Sequence, residues 1–275
     1  MGDKMARKAR KQGSNRKPDS SDSLINQSVS SGILGLDQIL GGGYPRGRVT
    51  VIRGASGTGK SIFALLYAME NTKDDGAAVF ATFDESPDTL SNYLTTWSAK
   101  SNVQFLDSRP DPEIMTIGGQ MELGGMLVRI EHALSQSGAN RLVLDAFDTL
   151  FGAFENKAQV RLDLFRIFDW CRKRGVTVVA TIHQPRAEIF EAIQNLCLLA
   201  RGGKLMYCGE IPRVEDYFKR CHYTCPSRTN VADYMMDVVS GEVNRTWRFN
   251  DAAGGRHEVS LYHHPLTGAR GGLRQ

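Results

Sequence analysis

Residues 54–61 read Gly-Ala-Ser-Gly-Thr-Gly-Lys-Ser and match the phosphate-binding pattern G-x-x-x-x-G-K-[ST] at every fixed position. An apolar, β-branched run precedes this octet and a helical segment follows it, which is the context that the pattern requires. Lys60 of such a loop reaches the β and γ phosphates of a nucleotide, and the hydroxyl of Ser61 can bind Mg²⁺. The residues predicted to hold the nucleotide are Gly54, Ser56, Gly57, Thr58, Gly59, Lys60 and Ser61.

Ionisable side chains follow three further apolar runs that read as buried strands. Asp84 and Glu85 follow the first run, Asp145 ends the second, and His183 follows the third. An apolar strand that ends in an acid is the Walker B pattern, so Asp145 is the predicted partner of Ser61 in a Mg²⁺ site. The simpler alternatives are an acidic turn before a helix for the 84–85 pair and a structural histidine in a turn.

The elements that must position these residues follow a regular order. Strand-like runs alternate with helical segments between residues 49 and 182, and the helical segment 160–174 carries its apolar residues on one face. This alternation predicts an α/β fold with a mainly parallel sheet and helices on both faces. Ligands of such sheets bind beyond the carboxyl ends of the strands, where the octet and all four ionisable residues fall.

The composition is that of a folded chain with a basic amino terminus. Of the 275 residues 41% are apolar, and neither an apolar run of membrane-spanning length nor a secretory leader is present, so we expect a cytoplasmic protein. Residues 1–17 hold seven Lys or Arg and one Asp, so the net charge of +4 becomes −2 for the remainder. Such a tail is typical of a disordered arm and, less often, of a nucleic-acid contact. Five irregularly spaced cysteines favour reduced thiols.

Residues 30–180 resemble a KaiC-type ATPase of the RecA-like superfamily. Besides the octet, the stretches that carry the resemblance are residues 32–47, 83–87, 110–112, 144–145 and 164–166. The resemblance implies a RecA-like P-loop NTPase fold that binds ATP with Mg²⁺ and catalyses phosphoryl transfer by positioning and charge stabilisation. It also implies that Glu85, with Asp84, orients the attacking water while Lys60 neutralises phosphate charge.

Residues 181–242 resemble a different family, the C-terminal part of an ABCG-type transporter nucleotide-binding domain. The stretches that carry this second resemblance are residues 181–186, 207–209, 217–218, 230–234 and 240–242. It implies that His183 senses the γ-phosphate and that a membrane transporter is a partner. RecA-like proteins also keep a polar sensor at the position of His183, whereas the membrane partner is implied by the second resemblance alone.

The two resemblances predict four parts of the chain. Residues 1–28 are the basic disordered tail, residues 29–210 the RecA-like P-loop ATPase core, residues 211–242 a helical ABCG-like extension, and residues 243–275 an irregular C-terminal tail with one candidate strand pair. The core is predicted to end in a hairpin that turns at residues 201–204.

Two departures from the family patterns restrict the functional hypothesis. Ala146 stands where an ABC-type domain has its catalytic Glu, and the basic Lys-x-Arg-Gly strand that KaiC-type proteins direct at a neighbouring subunit's nucleotide is missing after residue 182. We therefore expect a slow ATPase of the KaiC-like regulatory or switch type, with self-association that is not expected to be hexameric. The alternatives are the ATP-binding subunit of an ABCG-like transporter and a protein that binds ATP without hydrolysing it.

Overall fold

A computed structural model describes residues 28–70, 76–97, 102–109, 123–149, 157–183, 193–227, 229–241, 245–250 and 256–261. The strands in these ranges are β1 (Ser28–Val29), β2 (Tyr44–Pro45), β3 (Val49–Gly54), β4 (Ala78–Thr82), β5 (Val103–Asp107), β6 (Arg141–Asp145), β7 (Thr177–Ile182), β8 (Asn195–Ala200), β9 (Lys204–Glu210), β10 (Arg245–Asn250) and β11 (Arg256–Leu261). The helices are α1 (Leu34–Leu40), α2 (Lys60–Met69), α3 (Pro87–Thr96), α4 (Leu123–Ser137), α5 (Lys157–Lys173), α6 (Val214–Arg220) and α7 (Val231–Ser240).

Seven strands form one sheet in the order β5-β4-β6-β7-β3-β8-β9. Every neighbouring pair is parallel except β8 and β9, which form the predicted antiparallel hairpin at the sheet edge. Strand β3, which leads into the octet, lies between β7 and β8. The predicted α/β class with a mainly parallel sheet is confirmed.

Both faces of the sheet are covered by helices, because alternate residues of each buried strand enter two separate apolar clusters. In β6, for example, Leu142 and Leu144 join one cluster while Val143 joins the other. Helices α4, α5, α6 and α7 supply the first cluster, and α1, α2 and α3 supply the second. A strand that is buried on both faces has apolar residues at nearly every position, and for that reason these strands could be predicted from the sequence.

The segment before β3 packs on the amino-terminal edge of the sheet. Arg141, at the start of β6, is 1% exposed and donates a 2.6 Å hydrogen bond to the carbonyl oxygen of Tyr67 and a 3.4 Å bond to that of Ser30. The Tyr67 hydroxyl in turn donates to the carbonyl oxygen of Thr177 at 2.9 Å. Two backbone carbonyls therefore bond one nitrogen of this buried guanidinium and join β6 to α2 and to the segment after β1.

One pair of cysteines corrects the expectation of five reduced thiols. Cys197 of β8 and Cys208 of β9 are direct cross-strand partners with Cα atoms 4.1 Å apart, and their sulfur atoms form a disulfide. Irregular spacing along the chain did not indicate this pair, since the register of the hairpin brings the two residues together. Cys171, Cys221 and Cys225 are free thiols.

Several expectations concern the ends of the chain and its loops. Residues 243–275 were expected to be irregular except for one pair of strands. Strands β10 and β11 form such a pair and are antiparallel. Of the predicted tail 1–28, residue Ser28 begins β1 and residues 1–27 lie outside the described residues, as do the stretches 110–112 and 184–186 and the last residues 262–275. Within the described ranges no helix combines the length and apolar character needed to cross a bilayer.

Gly32 should be intolerant of a side chain. Its φ is +76°, and a Cβ would overlap the Leu66 carbonyl oxygen of α2 and lie 2.8 Å from the carbonyl carbon. We expect Gly32→Ala to lower the free energy of unfolding by about 2 kcal/mol or more, measured by urea denaturation. The matched control is Gly35→Ala in α1, where nothing lies within 4 Å. That change should be neutral or stabilise by up to about 1 kcal/mol, and equal effects of the two changes would contradict the packing described here.

Candidate nucleotide-binding site

The octet forms the turn that connects β3 to α2. Gly57 has a φ of 74° and Gly59 one of 85°, so both adopt the left-handed conformation that glycine tolerates best. The Thr58 hydroxyl donates to the carbonyl oxygen of Ala55 at 2.9 Å and closes the turn. Helix α2 starts directly afterwards at Lys60. The loop and the helix N-terminus together form the kind of concavity that binds phosphate.

Lys60 is folded back beneath this loop. Its Nζ donates to the carbonyl oxygens of Gly54 at 2.9 Å and Ala55 at 3.0 Å, and the residue is 3% exposed. Burial lowers the pKa of Lys60, while the charges of Asp148 and then Asp145 counteract that shift. The ammonium group is therefore held near two acids and at the base of the loop.

Asp145 is fixed by hydrogen bonds from two other elements. The Thr181 hydroxyl of β7 donates to Asp145 Oδ1 at 2.6 Å, and the Ser61 side chain of α2 also hydrogen-bonds the carboxylate. Burial raises the pKa of Asp145, although these two hydrogen bonds and the charges of His183 and Lys60 oppose that shift. The structure thus brings together Ser61 and Asp145, the two predicted Mg²⁺ ligands, whose oxygen atoms suit that ion.

A left-handed turn follows Asp145. Ala146 has a φ of 58°, is 2% exposed, and donates its backbone N–H to the Thr181 hydroxyl at 2.7 Å. The Phe147 N–H bonds the Thr181 carbonyl oxygen at 3.2 Å, and the N–H and hydroxyl of Thr149 both bond the Ala146 carbonyl oxygen. The left-handed conformation is unfavourable for alanine, and the surrounding hydrogen bonds stabilise it here. Such residues are common at functional sites.

Glu85 and Asp84 occupy different environments at the end of β4. Asp84 is exposed, whereas Glu85 is partly buried and its Oε2 atom has no hydrogen-bond partner among the described residues. Burial raises the pKa of Glu85, and the charges of Asp145 and Asp84 add to the effect. The Phe83 N–H donates to the Asp145 carbonyl oxygen at 3.1 Å, which places the ends of β4 and β6 side by side.

His183 directly follows the last residue of β7, and its backbone is held by a residue that the sequence did not single out. Its backbone N–H donates to Asp148 Oδ2 at 3.0 Å. Asp148 comes three residues after Asp145, and that spacing was the only signal in the sequence that could have identified it. Thr181 was also missed, because a buried strand threonine has no distinguishing pattern. The loop, Glu85, Asp145 and His183 all lie at the carboxyl edge of the sheet.

A mainly parallel sheet with a phosphate-binding loop after β3 and acids at the ends of β4 and β6 defines a RecA-like P-loop NTPase fold. The family model of the KaiC ATPase matches residues 29–196, which is more than half of the chain. The chain therefore belongs to the KaiC ATPase family.

Individual relatives agree with this assignment over part of their length. The circadian clock protein KaiC3 of Synechocystis is 34% identical over 163 residues, covering 56% of this chain and 32% of that protein. The circadian clock oscillator protein KaiC of Prochlorococcus marinus is 36% identical, covering 56% and 33%, and that of Thermostichus vulcanus is 31% identical, covering 60% and 33%. The chain thus spans about a third of the length of these curated relatives.

A second family model, described as an ABC-2 type transporter, matches residues 183–253. This range includes β8, β9, α6 and α7, and it begins at His183. The resemblance of the chain to two families, one following the other, is confirmed. The second match covers too little of the chain to assign it to that family.

Thr181 should be required for the link between β6 and β7. Thr181→Val keeps the volume but leaves the buried Ala146 N–H without its acceptor, so we expect the free energy of unfolding to fall by about 1–3 kcal/mol and the Ala146 amide to exchange faster with solvent. Thr181→Ser keeps the hydroxyl and should preserve protection of that amide. Native-state hydrogen exchange measures both. Equal Ala146 exchange rates in the two variants would show that the hydroxyl is not the link.

Proposed function

We propose that the protein binds ATP with Mg²⁺ and hydrolyses it slowly, as a regulatory or switch ATPase of the KaiC kind. The observation that carries the proposal is the phosphate-binding loop itself, with Lys60 beneath it and within the electrostatic influence of Asp145 and Asp148. Membership of the KaiC ATPase family supports the same ligand.

In this proposal the loop residues from Gly54 to Ser61 hold the phosphates through backbone N–H groups and Lys60. Ser61 and Asp145 would hold Mg²⁺, because their oxygen atoms already meet through a hydrogen bond and are ligands of the type that Mg²⁺ prefers. When bound, Mg²⁺ neutralises charge on the phosphate oxygens. The remaining contributions come from the side chains of the chain itself.

Glu85 is the proposed general base, with Asp84 in a secondary role. The partial burial of Glu85, its unpartnered Oε2 atom among the described residues and its raised pKa suit a carboxylate that accepts a proton from water. Asp84 is exposed and is expected to act mainly through its charge. His183 is the proposed sensor of the terminal phosphate, since its backbone is fixed at the same edge.

ATP hydrolysis should be slow, because the Lys-x-Arg-Gly strand that KaiC-type proteins direct at the nucleotide of a neighbouring subunit is missing after residue 182. Basic residues supplied in this way stabilise the charge of the transition state. The relatives carry circadian clock names, and we propose that this chain also acts through its nucleotide state and through self-association rather than through rapid hydrolysis. The basic tail, residues 1–17, offers a candidate nucleic-acid contact.

A second candidate function is the ATP-binding subunit of a membrane transporter. The match of residues 183–253 to an ABC-2 type transporter favours it, and the extension 211–242 would then be the contact with a membrane partner. Fractionation of cell membranes separates the two candidates. A transporter subunit should sediment with membranes and be released by detergent, whereas a switch ATPase should purify from the supernatant.

Lys60→Ala should weaken ATP binding. Loss of a charged hydrogen-bond donor to the phosphates is worth about 1.5–3 kcal/mol, which corresponds to a roughly 10- to 100-fold increase in Kd. Titration with a fluorescent ATP analogue in the presence of Mg²⁺ measures the change. The control is Lys219→Ala, which removes an exposed lysine paired with Glu215 on α6 and should leave the Kd as it is. Retained affinity in Lys60→Ala would refute the assignment of the loop.

Glu85→Gln should separate binding from hydrolysis. The substitution preserves size but removes the proton acceptor, so we expect phosphate release to fall by about 100-fold or more while the Kd for ATP changes little. Asp84→Asn should cause a smaller loss, because Asp84 is exposed. Single-turnover phosphate release together with equilibrium binding measures both. A larger loss in Asp84→Asn than in Glu85→Gln would reverse the two roles.

A further inference from the structure

Asp148 lies at the junction of the two strand ends that carry the candidate site. The left-handed residue Ala146 reverses the chain after β6, and the bonds of Thr149 to the Ala146 carbonyl oxygen close the turn around Asp148. The main chain that carries Asp148 is thus held by the hydrogen bonds of the turn.

The partner of Asp148 lies just beyond the last pair of the sheet. Parallel pairing of β7 with β6 ends at Leu144 and Ala180, and pairing with β3 ends at Arg53 and Ile182. The next residue, His183, donates its N–H to Asp148 Oδ2 at 3.0 Å. This hydrogen bond therefore extends the link between β6 and β7 past the point where backbone pairing stops.

The charge of Asp148 also acts on the lysine of the phosphate-binding loop. Among the charges that act on Lys60, that of Asp148 exceeds that of Asp145, although Asp145 is the acid that the Walker B pattern identified. One carboxylate thus contacts the end of β7 and influences the lysine beneath the loop. The hydrogen bond fixes the end of β7 relative to the turn after β6, and Lys60 lies within the electrostatic reach of the same carboxylate.

We propose that Asp148 is a positioning residue, which holds the backbone of His183 beside the phosphate-binding loop and so aligns the end of β7 with the terminal phosphate. This inference rests on the proposed function for its catalytic consequence. The hydrogen bond itself does not depend on that function.

Two substitutions separate position from charge. Asp148→Ala removes the acceptor, so the His183 amide should exchange with solvent at least about tenfold faster, and kcat should fall by about tenfold or more while KM for ATP stays constant or decreases. Asp148→Asn removes the charge but keeps an oxygen acceptor, so it should restore protection of the His183 amide and recover most of the lost kcat. Asp169→Ala, at an exposed acid paired with Arg172 and Lys173 of α5, is the control.

The outcomes are distinct. Unchanged His183 exchange in Asp148→Ala would overturn the proposal, and so would an equal loss of kcat in the alanine and asparagine variants, because that result assigns the role to charge. Loss of Mg²⁺-dependent ATP binding in both variants would identify Asp148 as a metal ligand instead and would also overturn it. If the wild-type protein released no phosphate, the proposed hydrolysis would fail, and the exchange data would still confirm or overturn the link to His183.

Discussion

The hydroxyl of Thr181 links the two strand ends on which the candidate site is built. It donates to Asp145 and accepts from the Ala146 N–H, so one atom orients the acid and stabilises the turn that follows. That turn in turn brings Asp148 to the backbone of His183. The two bonds of the Thr181 hydroxyl are buried and the Asp148 bond is partly buried, and because they share one turn, a change at Thr181 should affect the position of Asp148.

Burial determines the electrostatic character of this edge. It lowers the pKa of Lys60 and raises the pKa of Asp145 and of Glu85, so each group is less inclined to carry its charge than it would be in water. Three carboxylates, those of Glu85, Asp145 and Asp148, act on one another or on a single lysine. The residues that follow β3, β4 and β6 are thus electrostatically coupled to one another.

Much of this arrangement could be predicted from the sequence, because parallel strands deliver their carboxyl ends to one edge. The octet and the acid at the end of each apolar run were enough to place Lys60, Glu85 and Asp145 together. The roles of Thr181 and Asp148 could not be predicted, since they depend on a left-handed turn at an alanine, where the residue type gives no signal. The disulfide was missed for a similar reason, because strand register is a property of the folded hairpin.

The segment that matches the transporter family is integral to the same sheet. Strand β3 pairs on one side with β7, which lies in the range that matches only the KaiC ATPase. On the other side it pairs with β8, which lies wholly within the transporter match and whose last four residues are beyond the KaiC match. The turn between β8 and β9 reaches the loop, since a Cβ at Gly203 would lie 3.6 Å from the Thr58 carbonyl oxygen.

Acidic residues of helix α7, which also belongs to the transporter-like segment, interact electrostatically with strand β3. Arg53, the residue before the loop, is fully buried, and burial lowers its pKa to about 10 while the charges of Asp233 and Asp237 on α7 oppose the shift. The charge of a buried guanidinium costs free energy unless acids compensate it. The acids of α7 therefore offset part of the cost of burying Arg53, and residues of β3 and α7 share one apolar cluster, so the two family-like parts of the chain are expected to fold as one unit.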